Sequence, residues 1–291
     1  MEQVLLASIE SGLVFSLLAI GVVITFKILD IADLSVEGTF PLGAFVVGRF
    51  LTQGMNPFVS LIIAFIAGGI AGYITFFLYK KFKIEAILSG ILTMTMLYSI
   101  NLRITGKSNV PLFDYKTIFD VTPLPRVVLL LILVLIVKLL LDWFFKTEKG
   151  YLLVVTGDNE QLVKSLGKDP DKYTMAGLVL SNAIVGLSGA VQAQAQGFVD
   201  ITMGQGMIVM ALASIVIGDT FMRNSRRLKL TTRAIIGSIC YRLIYGIAIE
   251  AGLNPNDLKG ITAVIVVAFI VYNNVVAKRS KAKITRRNED A

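Results

Sequence analysis

The chain has no histidine, one cysteine (Cys240) and one tryptophan in 291 residues, and only 16% of its residues are charged. Without histidine there is no imidazole metal site and no imidazole general base. A single cysteine excludes a disulfide within the chain. Cys240 lies in an apolar run and reads as a small apolar filler. No Gly-rich loop ending in Lys-Ser or Lys-Thr is present, so no nucleotide-phosphate cradle is legible. The shortage of charge is the most informative lack, because a soluble domain carries about a quarter charged residues. This chain is 55% hydrophobic, with a mean hydropathy of +0.74. It has too little polar surface to face water all round and needs lipid.

What is present are long apolar runs. Nine segments have the length that crosses about 30 Å of hydrocarbon as a helix. They are 3–26, 31–51, 57–79, 84–105, 124–145, 173–196, 203–222, 231–252 and 260–277. The predicted fold class is therefore all-α, a polytopic transmembrane bundle of about nine spans forming a single domain over 1–291. Asp33, Glu37 and Pro41 interrupt the second segment, and Gly204 and Gly206 the seventh, so either is expected to be broken or re-entrant. The start, Met1-Glu2-Gln3, has no basic stretch, so the first segment is expected to remain as an anchor.

The net charge of +8 is concentrated at one end of the spans. The clusters are Lys80, Lys81 and Lys83; then 146–172; then Arg223, Arg226, Arg227, Lys229 and Arg233; then a tail over 278–291. Basic loops stay in the cytosol. The charges thus predict a cytoplasmic C-terminus and an N-terminus outside, in what is expected to be a bacterial inner membrane, and they are explained without nucleic acid.

The cytoplasmic segment 146–172 contains a short helix between two stops. Asp158 is the expected N-cap with Gln161 as its capping-box partner, and Gly167 the expected left-handed C-terminal cap. Asp169-Pro170 then starts the next helix. Leu162 and Leu166, with Val163 beside them, make one short apolar face. So short a helix is not stable alone in water. It must pack either on the cytoplasmic ends of its own bundle or into another protein, and spacing does not choose between these.

The segment resembles the coupling helix of permeases in the branched-chain amino acid and ribose group of ABC importers, which carry a Gly-x-Asn…Gly pattern matched by Gly157, Asn159 and Gly167. Leu162-Val163 departs from the alanines usual there. Residues 181–190 resemble the small-residue helix that follows in that group, and Asp33-Leu34-Ser35-Val36-Glu37-Gly38-Thr39-Phe40 is similar to a subgroup associated with tryptophan and tyrosine. The resemblance implies several partners. They are a cytoplasmic ATPase dimer that holds ATP and Mg while this chain holds no cofactor, a second permease copy, and an extracytoplasmic solute-binding protein or lipoprotein. It also implies that Gly157, Asp158, Asn159, Leu162, Val163, Leu166 and Gly167 couple to the ATPase, and that the solute is an amino acid, aromatic or branched-chain.

Polar residues inside spans are expensive and so are candidate path residues. Asp33 and Glu37 are four apart, with Ser35 and Thr39 flanking them. They fit either the lining of a water-filled path or a helix-start cap near the cytosolic interface. Arg242 lies mid-span and needs an acid (Glu10, Glu37 or Glu250) or a cavity. Gln192 and Gln196 share a face and either bond between helices or line a pore exit. Lys138 is expected to snorkel. The rival readings are a transporter driven by an ion gradient, which would also explain these acids, and an intramembrane enzyme, which would need a nucleophile and base that the chain lacks.

Overall fold

A computed structural model describes residues 2–222 and 229–253, with isolated positions between 260 and 271. Eleven helices and a two-stranded ribbon are described: α1 (Glu2–Val23), α2 (Val36–Thr52), α3 (Pro57–Phe76), α4 (Ala86–Thr105), β1 (Asn109–Pro111), α5 (Ile118–Val121), α6 (Arg126–Phe144), α7 (Glu148–Asp158), α8 (Glu160–Ser165), α9 (Pro170–Gln196), β2 (Phe198–Asp200), α10 (Met207–Phe221) and α11 (Leu230–Glu250). Among the described residues, seven helical stretches are long and apolar enough to cross a membrane. The expected ninth span, 260–277, and Arg223, Arg226, Arg227 and the 278–291 tail fall largely or wholly outside the described residues.

The bundle is layered around α9, which packs on α3, α2 and α1. Small residues make this possible. A Cβ on Gly43 would overlap the Gly186 carbonyl, and one on Gly72 the Leu178 carbonyl, so backbones touch where side chains would hold them apart. Hydroxyls then bond across the seams: Ser181 donates to the Gly21 carbonyl (2.7 Å) and Ser188 to that of Val14 (3.0 Å). The outer helices show the opposite pattern. Ile62, Ile66 and Ile70 of α3, at four-residue spacing, and Ile136, Leu139 and Leu140 of α6 are exposed. In a chain of this composition these are lipid-facing stripes.

Two expected spans are interrupted where the sequence placed the breaks. In the second, residues 29–35 are irregular and helix begins only at Val36, which leaves α2 at 17 residues and mostly buried. Pro41 lies inside α2 without ending it. In the seventh, a 3-10 turn (Ile201–Gly204) precedes Gly206 at φ 79°, and α10 starts at Met207. The all-α expectation needs a small correction. β1 and β2 pair antiparallel, Val110 opposite Val199, and tie the α4–α5 connection to the end of α9. Such short strands in polar loops carry no period-2 signal. Two π-helical turns, Ile24–Ile28 and Phe77–Lys81, extend α1 and α3, and each is followed by a non-glycine residue in the left-handed region, Asp30 (φ 54°) and Lys83 (φ 57°).

Candidate functional site

At one end of the bundle, α7 and α8 form a bent bracket between α6 and α9. The expected cap is displaced by one residue. Asp158 is the last residue of α7, not the N-cap of α8. Asn159 is the cap, its Oδ1 accepting from the Leu162 N–H (3.1 Å) while its extended backbone turns the chain from one helix into the next. Gly167 holds the C-terminal position as predicted, at φ 70°, and the Lys168 N–H reaches back to the Val163 carbonyl (3.2 Å). Asp169 caps α9, with Pro170 in its first turn.

The apolar face expected of α8 is divided in two. Val163 is fully buried and anchors the helix to its own chain, whereas Leu162 and Leu166 are 47% and 58% exposed. Packing on its own chain is therefore the part of Val163, while Leu162 and Leu166 are left largely uncovered. Further contacts fix the bracket. A Cβ on Gly157 would overlap the Ile28 carbonyl, so α7 lies directly on the π-turn that ends α1. Lys80, at the π-turn ending α3, pairs with Glu160 of α8 (2.8 Å) and Asp171 of α9 (3.2 Å). In the sequence Lys80 marks only topology; a lysine in a basic cluster does not reveal a partner eighty residues on.

Removing that lysine should loosen α8 selectively. Its side chain is only 16% exposed, so the pairs lie near the upper end for surface ion pairs, about 1 kcal/mol. Lys80→Met should raise trypsin cleavage after Lys164 about fivefold, the factor that free energy represents. Unchanged cleavage would mean that the ion pairs do not hold α8.

The residues expected to line one path are separated by the fold into three places. The first is sealed. Asp33 is 2% exposed and accepts from the Ser35 N–H (2.9 Å), the Ser35 hydroxyl and Asn182 Nδ2 (2.7 Å). Asn182 Oδ1 in turn accepts from the Thr39 hydroxyl (2.7 Å). Asp33, Ser35 and Thr39 thus form a buried network with Asn182 rather than the lining of a vestibule. Asp33 precedes α2 but does not cap it: the N-cap is Ser35, without a side-chain cap bond, and Asp33 bonds to the Ser35 N–H; Asn182 lies near the middle of α9, so α2 begins deep in the bundle. Asp33 and Glu37 do not share a helical face, because helix starts between them.

Glu37 belongs to the second place. Its Oε1 accepts from the Gly206 N–H (3.0 Å), and it lines a cavity of about 320 Å³ with Tyr98, Asn101 and Gln205. The third place holds Gln192, Gln196 and Arg242, around a cavity of about 430 Å³ beside the β-ribbon. Gln192 donates to Gln196 Oε1 (3.0 Å), and Gln196 donates to the Phe198 carbonyl (2.8 Å), while Gln194 points away into the core, accepting from the Ile118 N–H (2.9 Å). Arg242 has a cavity rather than one of the three glutamates. Its guanidinium lies 3.7 Å from the centre of the Phe15 ring and 5.2 Å from that of Tyr245.

Lys138 does not snorkel. It pairs with Asp142 (2.7 Å), a carboxylate that Lys229 (3.0 Å) and Thr231 (2.8 Å) also reach, so α6 is tied to the start of α11. Asp219 likewise receives Lys27 (2.9 Å) and Arg233 (3.5 Å). Sequence reasoning missed Asp142, Asp219 and Asn182. The i, i+4 spacing of Lys138 and Asp142 was a usable signal.

A lipid-facing bundle with a rigidly mounted, partly uncovered helix at one end and polar cavities in its interior defines a membrane transport subunit. The chain belongs to the family described as branched-chain amino acid transport system / permease component, whose model matches residues 4–271. It is 44% identical over 282 residues to a tyrosine transport system permease protein of Clostridioides difficile (strain R20291), covering 96% of this chain and 95% of that one. It is 34% identical to an uncharacterized protein of Rickettsia prowazekii (strain Madrid E), covering 94% and 98%. It is 27% identical to the autoinducer 2 import system permease protein LsrC of Yersinia pestis (strain Pestoides F), covering 79% and 64%. The chain is a multi-pass inner-membrane permease subunit of the ABC importer class and not an enzyme.

Proposed function

We propose that this chain forms the membrane pathway of an ATP-driven importer of an amino acid, aromatic or branched-chain, and that α8 is the element a separate ATPase grips. The carrying observation is the pair Leu162 and Leu166, exposed on a helix whose cap, buried Val163 and Lys80 contacts already fix it to the bundle. A docking face on a stiff mount can transmit displacement. The contact of Gly157 with the end of α1 gives that displacement a route into the interior. The 44% identity to a tyrosine transport permease supports the solute class.

In this reading the α7–α8 end faces the cytosol, the N-terminus and β-ribbon face outward, and nine spans and a basic cytoplasmic tail complete the topology. ATP and Mg bind the partner ATPase dimer. Two permease copies related by a twofold axis match that dimer, and an extracytoplasmic binding protein or lipoprotein delivers solute. ATP-driven closure of the motor switches the bundle between two packings, open to one side or the other.

Reconstitution tests this. Proteoliposomes containing the permease with its ATPase and binding protein should accumulate labelled L-tyrosine or L-leucine only when ATP is supplied. The permease alone should accumulate neither under a proton or sodium gradient. Gradient-driven uptake by the lone chain would replace the importer with a secondary transporter.

A further inference from the structure

The third cavity contains a charged group that no carboxylate among the described residues pairs with. Arg242 is half-buried in α11. Its Nε is buried without a hydrogen-bond partner, and no carboxylate among the described residues pairs with the guanidinium. The flat face of the group is already used, stacked on Phe15, which stacks in turn on Phe40 at 6.1 Å between ring centres. Its N–H edge remains available to the cavity. A cation held this way inside a membrane protein is costly unless an anion arrives. Asp200 is the one carboxylate in the lining, and it is bonded to Thr202 and Asn109 rather than to Arg242, so the guanidinium edge is left for an anion from outside the chain.

The rest of the lining narrows what that anion is. A guanidinium edge matches a carboxylate with two parallel hydrogen bonds. The wall next to it is apolar and aromatic: Phe15, Phe40, Met203 and Met207. Asp200 also lines the cavity, and its carboxylate accepts from the Thr202 N–H (2.8 Å), from the Thr202 hydroxyl and from Asn109 Nδ2 (3.2 Å). Burial pushes the Asp200 carboxyl up, but the bonds from Thr202 and Asn109 outweigh it and hold the group below the ordinary aspartate range. A negative charge is therefore present in the lining near neutral pH. Cation, apolar wall and anion in one cavity of about 430 Å³ fit a zwitterion with a sizeable side chain.

We propose that this cavity is a solute station within the permease itself, in which Arg242 takes the α-carboxylate of a free amino acid, the Phe15–Phe40 stack receives its apolar side chain, and Asp200 faces its ammonium group. The proposal rests on the importer reading above and adds what that reading lacks, a specific recognition site in the bundle. Asp33 and Glu37 are outside it. The glutamine pair, whose amides are engaged with each other and with Phe198, forms a neutral flank that limits the pocket.

The test is direct binding to the purified full-length permease without binding protein or ATPase, read by saturation-transfer NMR. L-tyrosine should bind. Tyramine, with the same ring and ammonium but no carboxylate, should bind at least tenfold more weakly. Arg242→Gln should lose tyrosine binding by a similar factor, and Arg242→Lys, which keeps the charge but not the paired edge, should retain part of it. Asp200→Asn should weaken tyrosine but not 3-(4-hydroxyphenyl)propanoate, which has no ammonium group. The last comparison does not depend on Arg242→Gln folding. Equal binding of tyrosine and tyramine, or wild-type binding by well-folded Arg242→Gln, would overturn the assignment. L-leucine bound in place of tyrosine with the same Arg242 dependence would support the station and change only the solute named above. Absence of ATP-driven uptake in the complete wild-type assembly would count against the importer reading instead.

Discussion

Leu162→Glu or Leu166→Glu will reduce ATP-driven uptake to background while the permease still inserts and elutes as a folded protein. The two parts of this result have separate causes. Leu162 on α8 and Leu166 at its C-cap have about half their surface free (47% and 58%), so a carboxylate there reaches water and has little effect on folding. In the complex the same positions are taken to be covered by the ATPase. Apolar anchors at the centre of an interface are worth about 2 kcal/mol or more, and a desolvated charge in their place adds to the loss. That corresponds to a weakening of roughly thirtyfold or greater. Val163→Glu is the informative contrast. Val163 is fully buried, so this change should destabilise the bracket itself and lower the yield of folded protein. The measurements are ATPase co-purification, tyrosine or leucine uptake, and size-exclusion elution. Wild-type uptake by either leucine variant would remove α8 from the coupling role.

Asn182→Ala will lower the thermal midpoint of the detergent-solubilised permease by about 5–10 °C, the shift expected if about 3 kcal/mol is lost from a chain of this size. Asn182 serves the buried Asp33 carboxyl group through Nδ2 and the Thr39 hydroxyl through Oδ1. A hydrogen bond contributes about 0.5–1.5 kcal/mol, and a buried group left unsatisfied costs about 1–3 kcal/mol. Asp33→Asn replaces the carboxyl group while keeping the shape. In that background Asn182→Ala should cost clearly less, and the difference measures the coupling between the two residues. Equal costs in both backgrounds would show that Asn182 acts by packing against α2 rather than by supporting the carboxyl group. The same pair separates structure from transport. If Asp33 lined the solute path, Asp33→Asn would lower uptake without lowering stability.

Much of this protein was legible from composition and spacing. Lipid is the solvent for most of its surface, so apolar length alone marked where the helices run. The interruptions before α2 and before α10 were announced by Asp33 and by Gly204 and Gly206, because a helix buried in a bundle tolerates such residues where its backbone finds other partners. The short helix between Gly157 and Gly167 was legible because caps are local chemistry. Even there the cap moved from Asp158 to Asn159, since two adjacent residues had equally suitable side chains and the bend of the chain decided between them.

Which polar residues meet which could not be read in advance. Asp33 and Glu37 are four apart in sequence, yet one is sealed against Asn182 in the core and the other lines a cavity with α4. Arg242 had three carboxylates within plausible reach and was placed against a ring instead. Lys80 and Asp142 acquired partners on helices far along the chain. By itself the sequence determined the solvent, the helices and their punctuation, because these depend on neighbours within a few residues. Only the tertiary structure decided the pairings, because the rotation and depth of each helix are set by close packing at small residues such as Gly43, Gly72 and Gly186, and a shift of one residue would turn every polar side chain to a different neighbour.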